Sequence, residues 1–158
     1  MPQPVKTNVM RLLDAAHVAY ELKEYPVDED DLSAVHAAAL LGVEAERIFK
    51  TLVLQGASGE HYVCCIPADA TLNLKLAAAA FSEKSIALIH EKELLPLTGY
   101  VRGGCSPIGM KKKFLTLIDE TAILYDSISI SAGKRGAVVF VAVQDLLDFI
   151  PAGMASLV

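Results

Sequence analysis

Three short segments carry residue types that could act on a bound ligand. The first runs Gly99-Tyr100-Val101-Arg102-Gly103-Gly104-Cys105-Ser106-Pro107-Ile108-Gly109-Met110-Lys111-Lys112-Lys113. Gly103 and Gly104 let a backbone approach a ligand without Cβ obstruction, Pro107 restricts the loop beside Ser106, and Gly109 lets it turn back. Amides presented by such a loop to a carbonyl oxygen would stabilise the negative charge that develops as an ester becomes tetrahedral. A tight connection between strands has the same composition. The glycines follow neither the G-x-G-x-x-G order of a dinucleotide site nor the G-x-x-x-x-G-K-[ST] order of a phosphate loop, so nucleotide-fold readings are set aside.

The second segment, Ile48 to Leu54, places Lys50 and then Thr51 at the start of an otherwise apolar strand. Lys50 must reach water along its stem or face a polar cavity, where its ammonium could hold a phosphate, a ribose oxygen or a developing oxyanion. In the third, Ser129 to Gly136, a turn contains Ser131, Gly133, Lys134 and Arg135; an ordinary hairpin turn reads the same way. Cys105 invites a nucleophile reading, but no histidine is placed by sequence to activate it, and packing is the preferred role.

The elements that must position these segments follow from periodicity. Thr7 caps a first helix with an apolar stripe at Val9, Leu12, Leu13 and Ala16. Tyr20, Leu22 and Tyr25 alternate as in a half-buried strand until Pro26 and the acidic run Asp28 to Asp31, a surface loop. Ser33 caps a second helix that runs through Leu41 and ends at Gly42. Phe49–Gln55 and His61–Pro67 form a hairpin around a five-residue loop. A helix begins at Asp69 or Thr71 and ends near Phe81. Ser85–Ile89 reads as a strand, Glu91–Leu95 as a short helix, and Tyr100–Arg102 as another strand. Further strands are expected at Leu115–Ile118, Ile123–Ile130 and Ala137–Ala142, with a last helix at Asp145–Ile150 stopped by Pro151. The tail to Val158 has no clear period and is expected to pack on the core. Strand pairs with short turns among helices imply a mixed, largely antiparallel α/β arrangement rather than a doubly wound parallel sheet.

Composition bounds the rest. The 158 residues, 53% hydrophobic and 21% charged, suit one sizeable core and a single domain over 1–158. No run of about 18 to 20 uncharged apolar residues is present to span a membrane. Met1 to Thr7 is polar and proline-marked, unlike a secretory leader, so a cytoplasmic location is expected. Cys64, Cys65 and Cys105 give no disulfide framework, and the scattered histidines have no zinc spacing; reduced thiols, no metal and no cofactor are expected. Net charge is −5, but its distribution is uneven: residues 100–135 hold 6 Lys and Arg against 3 Asp and Glu, whereas residues 1–99 hold 8 against 14. Arg102, Lys111, Lys112, Lys113, Lys134 and Arg135 therefore form a candidate phosphate-binding group, with a solvated basic face as the alternative.

Taken together, Lys50-Thr51-Leu52, the GGCSPIGMKK stretch from Gly103 to Lys112 and the SAGKRG stretch from Ser131 to Gly136 resemble the YbaK family of the prolyl-tRNA-synthetase-like editing domains. Their order and spacing match, and the likeness extends from the first helix to the last. The resemblance implies a YbaK-like fold, partly barrel-like, and a free-standing enzyme that hydrolyses cysteine from proline tRNA, with alanine-directed editing and a noncatalytic tRNA-binding or synthetase-associated module as alternatives. It implies Lys50 as the central functional residue and a pocket for the aminoacylated end lined by Tyr25, Thr51, Gly103, Gly104, Ser106, Pro107, Gly109, Ser131 and Gly133. Mischarged tRNA(Pro) and prolyl-tRNA synthetase are the implied partners; neither DNA nor membrane is. Familiar YbaK-type sequences continue GKRG with an apolar residue and then Asp, whereas this chain continues with Ala137 and Val138.

Overall fold

The protein is described over residues 5–158 by a computed structural model; residues 1–4 of the polar N-terminal stretch lie outside the described residues. Helix α1 (Asn8–Ala15) begins where Thr7 Oγ1 accepts the Met10 amide at 3.3 Å. The same hydroxyl donates to the Ala132 carbonyl at 2.6 Å, which ties the start of the chain to the turn holding Ser131. β1 (Tyr20–Glu24) follows, and α2 (Ala34–Leu41) is capped by Ser33 and closed by Gly42 in the left-handed region at φ 68°. A single 3₁₀ turn at Ala45–Arg47 delivers the chain into β2 (Phe49–Gly56), which pairs with β3 (His61–Pro67) as the expected hairpin.

After β3 come α3 (Leu74–Ala80), β4 (Ile86–Leu88), α4 (Glu91–Thr98), β5 (Leu115–Asp119), β6 (Ser127–Ser131), β7 (Ala137–Ala142), α5 (Val143–Phe149) and β8 (Gly153–Ala155). One sheet has the order β1-β7-β6 and is antiparallel; the other has the order β4-β2-β3-β5-β8, with β3-β5 and β5-β8 parallel. The fold is thus mixed and largely antiparallel. The sheets do not close into a barrel. β2 is hydrogen-bonded on both edges, to β3 and β4, and only Ile48 just before it bridges to Ser129 of β6.

The main core lies where α1 and α5 meet the sheets, with Val9, Leu13, Phe49, Ile130, Val139 and Leu146 buried together. A second cluster packs α3 onto β2 and β3 through Leu54, Ile66, Ala77 and Phe81, with Leu157 added from the C-terminus. Each large side chain so buried contributes about 1.5 to 3 kcal/mol of transfer free energy, which fixes the strand faces that present the remaining side chains.

Three expectations are corrected, and a fourth is extended. Tyr100–Arg102 is not a strand: Gly99 ends α4, the Tyr100 amide donates to Thr98 Oγ1 at 3.0 Å, and the Gly104 amide donates to Val101 O at 3.0 Å, so the segment's bonds close locally. Ile123 and Leu124 belong to a 3₁₀ turn (Glu120–Leu124) started by the Asp119 side chain, and β6 begins only at Ser127. α3 starts after Asn73, whose Oδ1 accepts the amides of both Lys75 and Leu76, rather than at Asp69 or Thr71. The tail contains β8, parallel to β5; its packing on the core, through Leu157, is as expected.

Candidate functional site

Lys50 lies half-buried near the start of β2, between the buried Phe49 and the half-buried Thr51. Its ammonium donates to the Ala68 carbonyl at 3.1 Å, just past the end of the paired strand β3. Burial lowers the Lys50 pKa below the usual lysine range, against a smaller upward pull from the Asp69 carboxylate. Lys50 forms part of the wall of a cavity of about 450 Å³. Tyr25, Thr51, Arg102, Gly103 and Ser131 share that wall, as do the apolar side chains of Leu32, Leu88, Leu94 and Val138. The cavity therefore has a mostly apolar lining with a few convergent polar groups, the usual make-up of a small-ligand site.

Five segments distant in sequence meet at this wall, and backbone contacts hold them there. The Tyr25 amide donates to Gly136 O at 2.9 Å, continuing the β1-β7 pairing by one residue and fixing the tyrosine at the cavity. Gly136 has φ 84°, and a Cβ there would stand 3.0 Å from Tyr25 O and 2.8 Å from Val27 Cγ2. Ser131 ends β6 opposite Val138 and accepts the Gly133 amide at 3.1 Å through its Oγ. Arg135 clamps the two loops: its Nε donates to Arg102 O at 2.8 Å and its guanidinium pairs with Glu29 at 3.1 Å. Gly104 lies under this clamp, where a Cβ would come within 3.0 Å of the Arg135 nitrogen and the Lys134 carbonyl carbon. Its small size serves the contact of one loop with another.

The expected residues divide accordingly. Lys50, Thr51, Tyr25, Gly103, Ser131 and Arg102 are brought together at the cavity. Gly104, Ser106, Pro107, Gly109 and Gly133 stand behind it. Ser106 is fully buried and accepts the Ile108 amide at 3.3 Å, while Gly109 and Gly133 both pack near Tyr100, whose hydroxyl donates to Ile108 O. Lys111, Lys112, Lys113 and Lys134 are exposed and do not line the cavity. Arg102 faces Glu91 at 3.8 Å, so both arginines of the expected basic group have a carboxylate of their own.

Sequence reasoning passed over several wall residues. Cys105, read as packing, does reach the wall, but burial pushes its thiol up to about 12, so it is protonated at neutral pH. Val138 is also there, so the departure from the familiar YbaK pattern lies in the cavity itself. His90 and Glu91 enter from the start of α4, where the His90 amide donates to the Glu93 carboxylate at 3.1 Å. The His-x-x-Glu spacing of that cap was visible in the sequence; that the cap opens onto the cavity was not.

A mixed α/β fold that gathers a half-buried lysine, a tyrosine and two glycine-rich turns around one cavity has the make-up of a small-ligand-binding domain. The chain belongs to the aminoacyl-tRNA editing domain family, whose match covers residues 28–149. It is 46% identical over 143 residues to the Enterococcus faecalis protein named "Putative Cys-tRNA(Pro)/Cys-tRNA(Cys) deacylase EbsC", covering 90% of this chain and 87% of that one. A proline–tRNA ligase of Pelobacter propionicus is 29% identical over 90 residues, 57% of this chain and 16% of the ligase. Among solved structures, one described as "a putative trans-editing enzyme for prolyl tRNA synthetase" superposes with a TM-score of 0.79 at 24% identity, covering 97% of this chain and 98% of that chain. At that identity the likeness speaks for the fold alone.

Proposed function

We propose that the protein is a trans-editing deacylase that hydrolyses the ester between a wrong amino acid and the terminal ribose of tRNA, with Cys-tRNA(Pro) as its preferred substrate. The observation that carries this reading is the convergence of Lys50, Thr51, Tyr25, Gly103 and Ser131 on one cavity of about 450 Å³. Family membership and the 46% identity to a protein named as a Cys-tRNA deacylase support the ester as the bond attacked.

An aminoacyl ester is already activated, so positioning and stabilisation of the oxyanion are enough; a complete nucleophilic triad is not required. Lys50 is the principal charged contact, holding the terminal adenosine or its phosphate. The amides of Gly103 and Cys105 themselves are the candidate oxyanion donors, since those of Gly104 and Ile108 already donate within the loop. With cysteine as the attached residue, the substrate thiolate attacks its own carbonyl carbon. The C–O bond to the ribose breaks, the ribose oxygen takes a proton from water in place of the one the thiol released there, and the products are a cyclic thiolactone and free tRNA. This route needs no protein nucleophile, in keeping with the protonated Cys105.

The decisive assay is single-turnover hydrolysis of Cys-, Ala- and Pro-tRNA(Pro). Lys50→Ala is expected to slow Cys-tRNA(Pro) hydrolysis by roughly 100-fold or more, the scale of removing one principal electrostatic group. A variant with the parent rate would sink the assignment. A preference for Ala-tRNA(Pro) would replace the thiol-assisted route by water attack, and tight binding without turnover would mark a recognition module. Cooperation with prolyl-tRNA synthetase and a cytoplasmic location belong to the same proposal.

A further inference from the structure

The face of the three-stranded sheet that closes one side of the cavity does not end there. Strand alternation puts Ser127, Ser129 and Ser131 of β6 on that face, with Val138 and Phe140 of β7 beside them and Lys23 and the Glu21 carboxylate of β1 next in line, Glu21 directly opposite Phe140. Ser131 and Val138 line the cavity; Phe140 lies two residues further along the strand, about 7 Å away. Two cations bracket its ring. Arg47, delivered by the 3₁₀ turn before β2, holds its guanidinium 5.4 Å from the Phe140 ring and 5.9 Å from that of Tyr125, and the Lys23 ammonium is 5.1 Å from Phe140.

Arg47 is fixed but electrically uncompensated. One of its terminal nitrogens donates to Ser127 Oγ at 3.1 Å, and among the described residues no carboxylate pairs with it. Among the described residues its Nε and the Oγ of Ser129, which is fully buried, have no hydrogen-bond partner. Lys23 has only Glu21 at 4.0 Å. A half-buried cation without a counter-charge is costly, and a guanidinium braced by aromatic rings is preorganised to receive an anion. Arg135, in contrast, pairs closely with Glu29 at 3.1 Å.

We propose that Arg47 and Lys23 bind phosphates of the single-stranded RNA end that leads into the cavity, so that the acceptor end runs over these two side chains where they cover the buried Phe140. This deepens the deacylase reading and rests on it for the identity of the RNA. The spacing of this cation pair from the cavity wall, one step along a strand, suits neighbouring phosphates of an extended single strand. Contact with phosphate rather than base edges gives register without sequence discrimination.

The test uses an uncharged RNA hairpin ending in single-stranded CCA, with binding read by fluorescence anisotropy across a salt series. Arg47→Met keeps an unbranched stem over the rings and removes the charge; it is expected to weaken binding roughly three- to tenfold and to lower the slope of log affinity against log salt by about 0.7. Lys23→Met is expected to act in the same direction, and Arg47→Lys to retain the slope. Unaltered affinity and slope in Arg47→Met and Lys23→Met would overturn the proposal, as would an Arg47→Lys slope that falls with the Met variant. Thermal melts show whether Arg47→Met is folded; if it is not, Lys23→Met and Arg47→Lys decide the matter. Hydrolysis is measured separately on the parent protein: failure there with the charge-dependent binding intact would remove the deacylase reading and leave the phosphate surface standing.

Discussion

Lys50 owes its altered acidity to a conflict between neighbours. Burial beside apolar walls disfavours the ammonium, while the Asp69 carboxylate favours it, and the net effect is a lowered pKa. If the ammonium holds the substrate, hydrolysis corrected for background should decline on the alkaline side at a lower pH than an ordinary lysine would give. Lys50→Arg should abolish that limb, and a single-turnover pH series reads both. Stability moves the other way. Between the lowered folded pKa and the ordinary unfolded one, the unfolded chain holds more protons, so Lys50's contribution to stability rises with pH across that window. Cys105 offers a second check. With its thiol pushed up to about 12, alkylation by iodoacetamide at pH 7.5 should be slow in the folded protein and accelerate on denaturation, followed by mass spectrometry. Rapid labelling of the native protein would reopen a nucleophilic role.

Helices and strands place these residues through bonds that pattern reading sees only in part. The caps at Thr7 and Ser33 and the hairpin of β2 and β3 were legible because a hydroxyl before an apolar stripe and a glycine between alternating runs have direct local causes. Ile123 and Leu124 misled because they are apolar and strand-prone, yet Asp119 turns the chain there and leaves them 72% and 73% exposed. Asp119 itself is buried. Its carboxylate accepts the Thr121 amide at 3.2 Å, the Thr121 hydroxyl at 2.6 Å and the Leu157 amide at 2.9 Å, joining β5, the 3₁₀ turn and the C-terminal segment. Asp119→Ala should cost about 3 kcal/mol in urea unfolding, since it leaves buried donors unpaired. A loss under about 1 kcal/mol would show that this junction matters little.

Across the whole molecule, an acidic chain of net charge −5 must bind RNA through local positive surfaces, because its overall field opposes approach. Lys112 and Lys113 are exposed and outside the cavity wall. If they meet the acceptor-stem phosphates, Lys112→Glu with Lys113→Glu should weaken hairpin binding and flatten its salt dependence; an unchanged slope would remove them from the RNA path. No helix among the described residues is long and apolar enough to cross a membrane.

The sequence by itself determined the segments that matter: Lys50, the Gly103–Gly109 loop and the Ser131–Gly136 turn were marked by composition and by the order in which they occur. It also determined the mixed sheet, through alternation and turn chemistry that act over a few residues. Tertiary structure alone decided which members of each motif face the cavity. Gly103 reaches the cavity while Gly104 is spent on the Lys134–Arg135 backbone, Ser131 reaches it while Ser106 is buried, and Val138 and Cys105 line it as well. Those outcomes depend on contacts between segments tens of residues apart, set by core packing and sheet register, and no local pattern encodes them.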